Sequence, residues 1–292
     1  MMNKDEAIES FNKVLFIRNL SERTIKTYNN HLSRFFNWVG KDDVSEIDLP
    51  IIQNYAYYLL KKGNTPSDVN VAECAIKYFY DAVLGKTISR LQLPKLKYAQ
   101  NEPYIFSKEE IKELLSTKDA RLKLIILLGL DCGLRESDSR NIRICDVDTK
   151  KMTISIINSK GNKCRVVKMS DMLLKAFRDY SKVYFSLRDW ESDDYVFPSN
   201  CKEKKAPVSI GQLGKWFTDY VKEKNFSNGK HITYHALRHT FATNMLENGC
   251  DVFLLKKLLG HSTFASTSRY IHYTTKDVEE SFSLSDVMNF ND

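Results

Sequence analysis

Six side chains in the C-terminal half of the chain are of types that could together move a phosphoryl group: Arg135, Lys160, His235, Arg238, His261 and Tyr270. Two arginines can grip the non-bridging oxygens of a phosphate that gains charge as it becomes five-coordinate. Fixed cations aimed at such developing charge are usually the largest catalytic contribution. A tyrosine supplies an oxygen nucleophile, and a lysine can protonate the oxygen that leaves. The chemistry this set suits is cleavage and rejoining of a DNA phosphodiester through a tyrosine ester, for which neither a metal nor a cofactor is expected.

Each residue stands in a recognisable string. Arg135 lies in GLRESD, after the apolar run Leu122 to Leu130, and Lys160 lies in SKGNK between two strand-like stretches. His235 and Arg238 come from YHALRHTFAT, His261 from LLGHSTF, and Tyr270 from SRYIHY. Singly, each has an ordinary explanation. An H-x-x-R pair on a helix merely shares a face, Leu259-Gly260-His261 fits a helix stop, and a lysine in a hairpin turn is normally a solvated charge. Taken in this order and spacing, the strings are specific as a set. From about residue 8 to about residue 280 the chain resembles the tyrosine recombinases, the lambda-integrase family that includes the Xer proteins and Cre.

The resemblance implies roles for the matching positions. Arg135, His235, Arg238 and His261 would hold the scissile phosphate, and Tyr270 would be the nucleophile, with Tyr273 about one helical turn later as its rival. In the family, the lysine of a G-K-G-x-K turn enters the minor groove and protonates the leaving 5′ oxygen. Here the turn reads S-K-G-N-K, so Lys160 matches and Lys163 is the fallback. The family's arginine motif commonly reads R-x-x-E-L, whereas this chain has Arg135-Glu136-Ser137-Asp138-Ser139, so a supporting role falls to the shorter Asp138. The implied activity is site-specific recombination of double-stranded DNA through a 3′-phosphotyrosyl intermediate and a Holliday junction, in a homo-tetramer on two sites, with accessory proteins as further partners. A type IB topoisomerase-like nicking-closing enzyme and a non-catalytic DNA-binding protein are the alternatives. The absence of an extra N-terminal arm-binding domain points to a compact Xer-like, transposon or phage enzyme.

The elements that must position these residues are mostly helical. The stretch Arg121 to Cys132 reads as a buried helix that ends near Gly133 and fixes where Arg135 emerges; Gly129 inside it costs roughly 1 kcal/mol against alanine. MTISII and CRVVKM alternate as a two-stranded hairpin around Gly161-Asn162. His235 and Arg238, three apart on one helix, point the same way, whereas His239 turns aside as a packing or hydrogen-bonding residue. His261 follows a helix over Val252 to Leu259. Upstream, Asp5 to Ile17, the run capped by Ser21 and closed by Gly40, Pro50 to Lys62, and the run from Pro66 to Val83 give about four helices. They resemble the family's core-binding domain, with their aromatic stripe in the core and Arg23, Lys26 and Arg34 facing DNA. The expected fold is therefore mainly α with a small antiparallel β element: a helical domain at 1–88, an exposed linker at 89–106 carrying Lys95 and Lys97 along bound DNA, and a catalytic domain at 107–292 that opens on the capping box Ser107-Lys108-Glu109-Glu110. After the nucleophile, Val278, Phe282, Leu284 and Val287 suit packing against a neighbouring subunit.

Composition sets outer bounds. With 292 residues, 42% of them hydrophobic, there is material for two cores. A formal charge of +7 suits a polyanionic partner. The six cysteines contain no C-x-x-C pair and read as reduced thiols rather than a zinc site or disulfide framework. No apolar run approaches a membrane span and the N-terminus MMNKDEAIESF carries acids, so no membrane association and a cytoplasmic location are expected.

Overall fold

Polar side chains start the helices of the N-terminal hundred residues. Asn3, Ser21, Asp48 and Thr65 each accept a hydrogen bond from an amide in the following first turn, satisfying donors that a helix start leaves unpaired. They open α1 (Lys4–Ile17), α2 (Glu22–Val39), α3 (Leu49–Lys61) and α4 (Pro66–Ala82). Gly40 closes α2 in the left-handed region at φ 68°, where a side chain would be strained. The computed structural model describes residues 2–41, 43–89, 91–98, 102–157, 164–185, 190–199, 205–224, 226 and 231–261. It divides into two units, within Met1–Asn101 and Glu102–Asp292.

In the first unit the predicted aromatic stripe is core. The Phe79 ring stands edge-on to Phe11 and to Phe36, at centroid distances of 5.8 and 5.4 Å, an arrangement favoured by the ring quadrupoles. Arg23, Lys26 and Arg34 are exposed. The stretch expected to run as an exposed linker is different in its first part. Leu93 is buried in this helical core, and Asn70 makes two hydrogen bonds to the Leu96 backbone, 2.8 and 3.0 Å long. Two prolines and lost periodicity rule out a helix there, but they do not keep apolar side chains out of a core. Lys95 and Lys97 remain exposed.

The second unit opens on the Ser107 capping box and α5 (Lys108–Leu115). The Phe106 amide just before it donates to the buried Thr240 hydroxyl at 3.0 Å, pinning this entry to α10 (His235–Glu247). The centre is α6 (Ala120–Leu130), in which every residue from Leu124 to Gly129 is buried; a helix apolar on all sides must be enclosed. It is packed by α5, α8 (Asp171–Tyr184), α9 (Gln212–Lys224) and α10. After α6 come the short α7 (Glu136–Arg140) and a sheet of order β1-β2-β3: β1 (Val147–Asp148), β2 (Thr153–Ile157) and β3 (Cys164–Lys168). The expected hairpin is β2 with β3, antiparallel with Ile156 opposite Arg165. A two-residue β1 extends it on the free edge of β2. The last described element is α11 (Val252–Leu259). The architecture is mainly α with a small antiparallel sheet, and no described helix is long and apolar enough to cross a membrane.

Gly129 has a packing reason. A Cβ there would lie 2.6 Å from Leu237 Cβ and 2.9 Å from its Cδ1, so the glycine lets α6 and α10 approach. Gly129→Ala would gain up to about 1 kcal/mol of helix propensity, but overpacking against a fixed Cβ costs about 1–3 kcal/mol. The expected net result is a lower urea midpoint. A raised midpoint would mean that the two helices can part without strain.

Candidate active site

Two turns and one helix end bring the arginines together. Past α6, Gly133 takes φ 60°, and a Cβ there would meet the Phe241 ring at 2.3 Å, so the chain turns tightly under α10 and delivers Arg135 as the residue that begins α7. The amide of Arg135 donates to Asp138 Oδ2 at 3.2 Å. At the far end of the unit, Asp251 caps the start of α11, and Gly260 ends it at φ 63°.

The carbonyls at that helix end meet the guanidinium groups. Arg135 Nη1 and Arg238 Nη2 both donate to Leu259 O, at 3.1 and 2.8 Å, and Arg135 Nη2 reaches Gly260 O at 3.5 Å. Arg238 is 3% exposed, and its Nη1 donates to Gly133 O at 2.7 Å. The negative end of a helix dipole is a favourable place for cations. Arg238 Nη2 also lies 2.8 Å from His261 Nε2. A guanidinium only donates, so Nε2 accepts; the ring is then neutral and its own donor is Nδ1–H.

His235 begins α10 and is exposed, with its ring edge-on to His239 at 5.8 Å. Loss of solvent on its protein side, and then the positive charges of Arg238 and Arg135, push its pKa below the usual 6.5. These surroundings therefore favour the neutral form of the imidazole.

Asp138 is 5% exposed at its side chain, and its chief partner is a residue that sequence reasoning missed. Arg165 Nη2 donates to Asp138 Oδ2 at 2.6 Å, and Arg165 Nε donates to Leu258 O at 2.9 Å. The signal for Arg165 was strand alternation: Val167 faces the core, so Arg165, two residues earlier, faces inward too. A charged residue at an inward position requires a buried partner. Arg135, Asp138, Arg238 and His261 are thus grouped around the α11 terminus, with His235 within electrostatic reach of both arginines. Lys160, Lys163, Tyr270, Tyr273 and the segment holding Val278, Phe282, Leu284 and Val287 lie outside the described residues. Arg23, Lys26, Arg34, Lys95 and Lys97 belong to the other unit.

The pattern described as the phage integrase family matches residues 105–277, and that of the phage integrase N-terminal SAM-like domain matches residues 8–90. The chain belongs to the phage integrase family. Its relatives include tyrosine recombinases. Tyrosine recombinase XerA of Pyrococcus horikoshii is 32% identical over 285 residues, covering 96% of this chain and 93% of that one. Tyrosine recombinase XerC of Caldanaerobacter subterraneus subsp. tengcongensis is 30% identical over 306 residues, covering 93% and 84%. A crystal structure of XerA recombinase shares 28% identity with a TM-score of 0.53, covering 94% and 96%. The Tn1549 transposon integrase, solved with transposon right end DNA, has the same fold at 18% identity, with a TM-score of 0.74 and coverage of 94% and 96%. This tyrosine recombinase is thus a site-specific DNA recombinase, and the topoisomerase-like and non-catalytic alternatives are not favoured.

The depressed pKa of His235 has a sign that can be checked. The unfolded chain takes up the proton first, so the neutral ring's contribution to stability is complete above about pH 6.5 and fades as pH falls through the folded value. An NMR titration of the recombinase should place the His235 midpoint below 6.5, and Arg238→Met should raise it by removing the more influential of the two positive charges. A midpoint at or above 6.5 would contradict this electrostatic arrangement.

Proposed function

We propose that the recombinase cleaves one DNA strand at a time by attack of the Tyr270 hydroxyl on the scissile phosphorus. The Tyr270 oxygen bonds to phosphorus as the bond to the 5′ oxygen breaks, leaving a 3′-phosphotyrosine and a free 5′ end. Neutral His235 takes the phenolic proton, and Lys160 gives one to the 5′ oxygen. Arg135, Arg238 and the Nδ1–H of His261 bind the non-bridging oxygens. The bond energy stays in the ester, so resealing onto a partner strand needs no ATP.

The observation that supports this reading is the convergence of Arg135 Nη1 and Arg238 Nη2 on one oxygen, Leu259 O. Two guanidinium groups 103 residues apart in sequence are aimed at one acceptor, as a clamp on an anionic oxygen requires. The Tn1549 integrase, XerH and a lambda integrase dimer were each solved on DNA, which supports a double-stranded DNA site as the partner here. The helical unit would act as the core-binding domain, with exposed Arg23, Lys26, Arg34, Lys95 and Lys97 on backbone phosphates. A cytoplasmic homo-tetramer on two sites, working through a Holliday junction and open to accessory proteins, completes the reading. Integration or excision of a mobile element and dimer resolution share this chemistry.

Two measurements test it. Tyr270→Phe should abolish covalent attachment to DNA while site binding changes little; a robust covalent complex would move the nucleophile to Tyr273. Lys160→Ala should cleave ordinary DNA slowly but recover when the leaving 5′ oxygen is replaced by sulfur, since a thiolate leaves without protonation. Recovery of Lys163→Ala alone would transfer that role to Lys163.

A further inference from the structure

Arg165 has no part in the chemistry proposed above, yet its guanidinium joins three segments of the site. It sits on β3, five residues after Lys160 in the sequence, and its side chain is 9% exposed. Nη2 donates to Asp138 Oδ2 at 2.6 Å and Nε to Leu258 O at 2.9 Å. Asp138 Oδ2 also accepts from the Arg135 amide at 3.2 Å and lies 4.0 Å from Arg135 Nη1. The remaining nitrogen, Nη1, is buried with no hydrogen-bond partner among the described residues. It lies where a Cβ on Gly260 would come within 2.9 Å, so a glycine at 260 is needed for this close approach as well as for its left-handed backbone.

We infer that Arg165 is a positioning residue for strand cleavage: through Asp138 and Leu258 O it sets the direction of the Arg135 guanidinium and the place of the turn that holds His261. This rests on the reading of Arg135 and Arg238 as the phosphate clamp. Stability alone does not explain the arrangement. A buried ion pair gains little over neutral or apolar side chains of similar size, because desolvation offsets the attraction. A neutral pair cannot, however, hold a carboxylate and a carbonyl at fixed angles from one planar group. Lysine cannot either, since its ammonium lacks the fork. The acceptors of Arg165 lead to the clamp, and only its own strand leads to Lys160. Its loss therefore misplaces the phosphate rather than the general acid.

The experiment measures single-turnover cleavage, site affinity and thermal unfolding of the full chain carrying Arg165→Met with Asp138→Asn, beside Arg165→Lys. Asparagine retains an acceptor for the Arg135 amide, and no unpaired charge is left buried. The double variant should melt close to the parent and bind its site within about threefold, yet cleave about 10–100-fold more slowly, the scale expected of a displacement near 1 Å. Arg165→Lys should be slow as well. Sulfur at the leaving 5′ position should not restore either variant. Parental cleavage by a stably folded double variant would overturn the inference, making the pair structural only. If the double variant does not fold, parental cleavage by Arg165→Lys overturns it equally. Recovery with sulfur would also overturn it, by moving the effect to the hairpin lysine. Arg238→Ala in the same assay separates the two readings: normal cleavage by that variant would remove the clamp itself, whatever Arg165 does.

Discussion

Three guanidinium groups grip three consecutive carbonyls at the end of α11, and the geometry of the site depends on that grip. Arg165 holds Leu258 O, Arg135 and Arg238 share Leu259 O, and Arg135 reaches on to Gly260 O. A helix leaves its last carbonyls without intrahelical partners, so this terminus is a set of fixed acceptors with partial negative charge. Arginine is the side chain able to serve several such acceptors at once from one plane. The same contacts that satisfy α11 therefore orient the residues that would hold a phosphate.

The apolar scaffold is arranged to make that meeting possible. Enclosed α6 supplies a rigid base, and two glycines near its end remove side chains where α10 must come close. Gly129 lies against Leu237, and Gly133 under Phe241. The result is a short path from the buried core to Arg135, with Arg238 rooted in the next layer and bonded back to the Gly133 carbonyl. Rigid seating of this kind suits a reaction that tolerates little error in the line of attack.

Much of the fold was legible because its signals are local. Ser21, Thr65 with Pro66, and the Ser107 box each act within one helical turn, and the structure starts helices at all three. The motif strings located Arg135, His235, Arg238 and His261, which the fold gathers. What was not legible depends on contacts distant in sequence. Arg165 finds its partners 27 residues upstream and 93 residues downstream, and only its inward place in a short strand hinted at them. The burial of Leu93 within the expected linker is hidden for a similar reason, since loss of helical period says nothing about burial. The two-residue β1 is too short to carry a pattern at all.

The burial of these arginines separates two responses to ionic strength. Exposed Arg23, Lys26 and Arg34, the side chains proposed to meet DNA, stand in water, where mobile ions screen charge over about 8–10 Å, and contacts of that kind to DNA phosphates weaken steeply as salt rises. Arg238, at 3% exposure, and Arg165, at 9% for its side chain, lie where few ions can reach. Added salt consequently loosens the protein's hold on its nucleic acid well before it disturbs the internal lattice of guanidinium and carbonyl groups, and a molecule released from DNA by salt leaves with that lattice already assembled for the next encounter.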